Sequence, residues 1–150
     1  MAENRLILRS AAAGAIVLLG IASVPNETRE AERMSTDQKI DYVEFYAADF
    51  DAVEAFYSSA FGWTFVDYGP EYRAFNDGRL DGGFRKGDAK SATASGGALV
   101  ILYAEDLEGT RAAVLEHGGT LSEDIFSFPG GRRFQFLDPH GNELAVWSDR

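Results

Sequence analysis

The chain has 150 residues, 45% of them hydrophobic and 13% aromatic, which is enough for one ordinary domain with a real core and too apolar for a disordered chain. Its net charge of −10 sits wholly in residues 40–150, where nineteen acidic side chains face nine basic ones; such a surface repels phosphate backbones, so no nucleic-acid partner is expected. The absence of cysteine excludes disulfides, thiolate metal sites and a cysteine nucleophile.

Residues 1–39 read as a leader outside the fold. Arg5 and Arg9 precede an uncharged run from Ser10 to Val24. That run falls short of the roughly 20 apolar residues of a membrane span and fits the hydrophobic part of an export signal, although no small-x-small cleavage triplet follows it. "MSTDQKIDYVEF", from Met34, reads instead as a cytosolic amino terminus leading into a strand, which would make the upstream stretch an over-extended start. The expected location is cytoplasmic if translation starts at Met34, and exported or membrane-tethered if residues 1–33 are genuine. The folded domain itself is expected to hold no stable membrane association.

From residue 40 the pattern is β-rich to 46, then reaches Asp49, a residue suited to capping a helix amino terminus. Phe50, Val53 and Phe56-Tyr57 recur at helical spacing, and Gly62 supplies a left-handed stop. Strands are predicted at 64–68, 72–76 and 80–85, the last two joined by the "NDG" turn. The stretch 87–97, "GDAKSATASGG", reads as a flexible linker.

The same series then repeats. A strand at 98–103 leads to Asp106, a helix follows with Leu107, Ala112-Ala113 and Leu115 on one side, and Gly118-Gly119 ends it. Strands are predicted at 121–128, 132–137 and 142–148. Residues 42–63 lie over 99–120 without a gap, matching Val43/Val100, Tyr46/Tyr103 and Asp49/Asp106 among others. The later strands pair as well if the "DPHGN" turn is two residues longer than "NDG", which sets Phe84 against Trp147. The chain is thus expected to be α+β: a single domain, 40–149, of two βαβββ modules at about 40–86 and 98–149.

"DYVEFYAADFDAVEAFYSSAFGW" and "RRFQFLDPHGNELAVWSD" resemble the opening strand–helix and the closing hairpin of the vicinal oxygen chelate superfamily. Its members include glyoxalase I, extradiol dioxygenases, fosfomycin-resistance enzymes and bleomycin-resistance proteins. The resemblance implies a curled, cup-like mixed sheet of about eight strands with one helix per module outside it. It also implies a small-molecule ligand and a homodimer, in which the cup is built either within one chain or across two. Carried over residue by residue, the superfamily's four metal-ligand positions fall on Tyr42, Gly82, Leu99 and Ala145. None bears an imidazole or carboxylate, so no metal or other cofactor is expected, with a divalent ion as the alternative.

Alternation places Tyr42, Glu44 and Tyr46, then Leu99, Ile101 and Tyr103, then Glu143, Ala145 and Trp147 along the inside of the cup. Glu44, mid-strand among apolar neighbours, is the candidate general base, expected to be desolvated; a salt bridge to Arg132 or Arg133 is the structural alternative. Glu44 and Glu143 together offer a weak oxygen-rich ion site. Arg132 and Arg133, after a Gly-Gly turn, suit an anionic ligand group at the rim or pair with surface acids. Trp63, Phe126 and Phe128 read as core, and His117 and His140 as solvent-facing. Three functions follow: a metal-free small-molecule binder, a glyoxalase- or dioxygenase-type metalloenzyme with displaced ligands, or an interaction module with a filled pocket. No Ser-His-Asp set and no phosphate-binding glycine loop is present.

Overall fold

A computed structural model describes residues 37–150, so both readings of the leader lie outside the described residues. Two aspartates start the helices. Asp49, in extended backbone, accepts a hydrogen bond from Ala52 N and caps α1 (Phe50–Phe61). Asp106 accepts from Gly109 N and caps α2 (Leu107–Glu116). Gly62 ends α1 at φ +74°, and α2 stops at His117, followed by Gly118 at φ +101°.

Around each helix the chain lays down four strands. β1 (Tyr42–Ala47), β2 (Thr64–Asp67), β3 (Tyr72–Asn76) and β4 (Asp81–Lys86) form one sheet in the order β1-β4-β3-β2. β5 (Val100–Tyr103), β6 (Thr120–Phe128), β7 (Gly131–Leu137) and β8 (Glu143–Ser148) repeat it as β5-β8-β7-β6. In each sheet the first strand runs parallel to the last and the remaining pairs are antiparallel. The fold is therefore α+β, built from two βαβββ modules. The expected eight strands divide into two four-stranded mixed sheets that do not close on one another.

One face of each sheet is covered. Phe45, Phe75 and Phe84 of the first sheet and Phe134, Phe136, Leu144 and Val146 of the second join Val53, Phe56 and Tyr57 of α1 and Leu107 and Val114 of α2 in a single buried cluster. α1 serves both modules: its Phe56 and Phe61 rings lie 5.9 and 5.7 Å from Phe136, and the Tyr57 hydroxyl donates to buried Asp138 at 3.1 Å. Burial, and the neighbouring Asp138 carboxylate after it, raise the Tyr57 phenol well above its ordinary value, so it stays a donor. On the covered side Arg73 ties α1 to the sheet through Glu54 and Asp67.

Two expectations need correction. First, the stretch 87–97 is not a free linker. Ser91 exchanges backbone contacts with the start of β8, donating to Asn142 Oδ1 at 3.0 Å and accepting from Glu143 N at 2.6 Å, and a 3-10 turn, Thr93–Ser95, follows. A buried polar turn at 138–142 holds the segment down, which its own Gly/Ser-rich composition does not reveal. Second, the repeat register is off by one in the last strands. Phe45 pairs with Phe84 and Leu102 with Val146, so Phe84 corresponds to Val146, not Trp147. The loop 138–142 is one residue longer than the loop 77–80, not two.

Candidate functional site

The face of the first sheet turned away from the core holds the candidate site. Alternation puts Tyr42, Glu44 and Tyr46 there from β1, and the register adds Gly83 and Arg85, Tyr72, Ala74 and Asn76, and Thr64 and Val66. A hollow of about 530 Å³ lies on this face, with Tyr42, Tyr72, Tyr68 and Val66 among its walls.

At one end of the hollow two phenols and a carboxylate meet. Tyr42 Oη donates to Gly82 O at 2.7 Å, lies 2.7 Å from Tyr72 Oη, and Tyr72 Oη reaches Glu44 Oε2 at 3.2 Å. Two hydroxyl protons thus serve three contacts: with Tyr42 donating to Gly82 O, the Tyr72 proton goes either to Tyr42 Oη or to Glu44 Oε2. Burial and then the Tyr42 contact raise the Tyr72 phenol above its ordinary value, which keeps its proton in place. Glu44 itself is not desolvated as expected: its side chain is 43% exposed, because its neighbour on β4 is Gly83 and, among the described residues, no element packs over this face. Its ion-pair partner is neither Arg132 nor Arg133 but Arg85, at 3.7 Å.

The second sheet also has an open face, which holds Ile101, Tyr103, Ala145, Trp147, Arg133 and Gln135 by register. Leu99 lies one residue before β5. Glu143 is on this face but buried and fully engaged: Oε2 accepts from Thr93 N and Oγ1, Oε1 from Ser122 Oγ and Gln135 Nε2. These donors, Thr93 first, hold its carboxyl below the ordinary value. Arg132, expected beside Arg133 at the rim, points to the other side of the sheet and pairs with Glu108 in the first turn of α2. Phe126 and Phe128, expected in the core, stand outside the buried cluster and flank Arg133. His117 is exposed as expected, whereas His140 is not free: Nδ1 accepts from Ala48 N and Nε2 meets Ala89 O.

A divalent ion does not fit the positions the superfamily uses. The corrected register replaces Gly82 with Gly83, and the space above Gly83 is filled: a Cβ there would fall on the Tyr72 hydroxyl. The Tyr42 hydroxyl is committed to Gly82 O, Leu99 offers no donor, and Ala145 presents a buried methyl group. Glu44 and Glu143 stand on different sheets, the latter with its lone pairs filled. Among the described residues no group of three or more His, Cys, Asp or Glu is placed to hold a metal. Sequence reading missed Tyr72, Val66 and Arg85; extending period-two alternation from β1 to the middle strands finds them.

Comparison with known proteins adds the following. A family model described as the Glyoxalase/Bleomycin resistance protein/Dioxygenase superfamily matches residues 39–146. Among solved structures, a glyoxalase-related enzyme from Fulvimarina pelagi superposes with a TM-score of 0.63 at 16% identity, covering 74% of this chain and 88% of that one. A lactoylglutathione lyase from Agrobacterium tumefaciens gives 0.57 at 23% identity, covering 74% and 93%. A family enzyme from Burkholderia phytofirmans gives 0.61 at 19%, covering 73% and 98%. No curated protein sequence matches. At these identities the structural likeness is one of fold. Among the described residues, no helix is long and apolar enough to cross a membrane.

Proposed function

The chain belongs to the glyoxalase/bleomycin resistance protein/dioxygenase superfamily, and from that premise we propose that it binds a small, planar, largely apolar molecule in the hollow of its first sheet, without a metal ion. The observation that carries this reading is the hollow of about 530 Å³, walled by tyrosine rings and apolar side chains, with a hydroxyl–carboxylate chain at one end. The rings stack a flat ligand and exclude water, while Tyr42, Tyr72 and Glu44 orient a hydroxyl group on it. Glu44, the candidate base, accepts from Tyr72 and so fixes which way the hydroxyl chain points at the ligand. The role is sequestration, with the metalloenzyme and the filled interaction module as the competing readings. A homodimer belongs to the same proposal, formed through surface outside the two open faces, which a ligand needs free.

The test is a thermal-shift screen of planar aromatic compounds on protein purified without chelator, with elemental analysis of the same sample. A ligand held at a hundred times its Kd stabilises by about 2.7 kcal/mol, a rise of several degrees in Tm. That rise is expected to vanish in Ala74→Trp, which fills the hollow from its uncovered side. Stoichiometric bound metal would favour the enzyme reading, and a screen without a stabilising compound the interaction module.

A further inference from the structure

The second sheet carries an arginine that the charge of the chain does not explain. Arg73, Arg85, Arg111, Arg132 and Arg150 each have a carboxylate within ion-pair reach. Besides the exposed Arg79 of the 77–80 turn, only Arg133 has none among the described residues, in a chain of net charge −10. It is also not simply hanging in water. Its guanidinium lies over the Phe126 ring at 4.9 Å and the Phe128 ring at 5.7 Å, and its Nε is shut off from solvent without an acceptor. Two aromatic contacts fix the fork in place but leave its charge uncompensated.

The surroundings are aromatic. Arg133 faces Trp147 across the β7–β8 ladder, the Trp147 ring lies 6.3 Å from Phe128 and 5.3 Å from Tyr103, and Tyr103 is 48% exposed. At the far end of this row the Tyr103 hydroxyl donates to Asp149 at 2.8 Å. A row of rings with an unpaired, pre-positioned guanidinium at one end matches a flat ring bearing an anionic group. We infer that Arg133, with Phe126, Phe128 and Trp147, forms a subsite for the carboxylate or phosphonate of a planar aromatic molecule. This site stands on the second sheet alone and does not depend on the hollow of the first. A carboxylate from a second copy is the competing occupant. The exposed Tyr103 ring and the half-buried Trp147 ring, set edge-on to each other, favour the small anion, because an aspartate or glutamate side chain would meet the charge but leave both rings without a flat partner.

The protein has two tryptophans, Trp63 in the core and Trp147 beside Arg133, so a 1H–15N spectrum gives two indole N–H signals, assigned with Trp147→Phe. Titration with benzoate and with phenylphosphonate is expected to move the Trp147 signal saturably and leave Trp63 in place, while benzamide, neutral and of the same shape, moves neither. Arg133→Gln should weaken benzoate binding about tenfold or more, the scale of a charge-assisted bidentate contact. Arg132→Gln, on the opposite face, should bind as the parent does. If Arg133→Gln does not fold, Arg133→Lys keeps the charge without the fork and is expected to bind benzoate with intermediate affinity. Equal shifts by benzamide, or unchanged binding in both Arg133 variants, would overturn the subsite. So would a Trp147 signal that moves with protein concentration and ignores benzoate, which is the outcome for a second copy. None of these readouts involves Tyr42 or Tyr72, so the subsite and the first-sheet hollow succeed or fail separately.

Discussion

Gly83 has a task that a glycine alone performs: it lets the Tyr72 ring lie flat on β4, because a Cβ at that position would collide with the phenol oxygen. Gly83→Ala is therefore expected to push the Tyr72 ring aside and destabilise by about 1 kcal/mol, the low end for overpacking, because the ring end is free to move. The loss should shrink in a Tyr72→Ala background, where the clash is gone; urea unfolding of the four proteins of that cycle decides it. Glu143 makes the opposite kind of prediction. Its carboxylate is favoured by Thr93, Ser122 and Gln135, so its folded value lies below the ordinary 4.5. The stabilisation is present in full above that ordinary value and is lost as pH falls through it toward the lower folded value. Glu143→Gln should thus lose about 1–3 kcal/mol at neutral pH, and the gap should narrow as pH falls below 4.5, read from paired urea curves. Which way Glu44, Tyr46 and Trp147 point was legible from alternation alone. The environment of Glu44 was not, because the exposure of one strand depends on what stands beside it, here Gly83 and an uncovered face.

The secondary-structure elements were the most legible scale, since caps and alternation are local chemistry. Asp49 and Asp106 both sit where an aspartate before a helical run belongs, and both accept the expected backbone N–H. Replacing either with Ala should destabilise by about 1 kcal/mol, whereas Asn, which retains the acceptor, should lose little; thermal melts of the four variants measure this. If Asp49→Asn is as damaging as Asp49→Ala, charge beside the helix rather than the capping bond is what matters. Two element-scale features escaped the sequence. The register between the repeats slipped because glycines and turn residues carry no face, so the length of the 138–142 loop was free to be misread. The 87–97 segment was misread because its anchors, Asn142 and Glu143, belong to another element.

At the scale of the whole molecule, the question is whether two modules with separate sheets unfold as one. The chain gives each module its own ladder, yet α1 contributes Phe56 and Phe61 to Phe136 of the second sheet, and Tyr57 bonds Asp138 across the same boundary. Apolar contacts of that density in a shared cluster couple the halves more strongly than a surface contact would, so a single cooperative transition is expected. The two tryptophans report on one half each, Trp63 against Tyr57 and Phe75 in the first and Trp147 against Tyr103 in the second. Trp63→Phe and Trp147→Phe therefore give single-probe proteins whose unfolding curves are each compared with far-UV dichroism of the same protein, and the two are expected to coincide. Phe136→Ala, a large-to-small change at the boundary, should remove about 3–5 kcal/mol and lower the midpoint seen by both probes together. A midpoint that falls at Trp147 while Trp63 holds would show two modules folding independently, and the shared cluster would then be a contact between finished halves rather than one core.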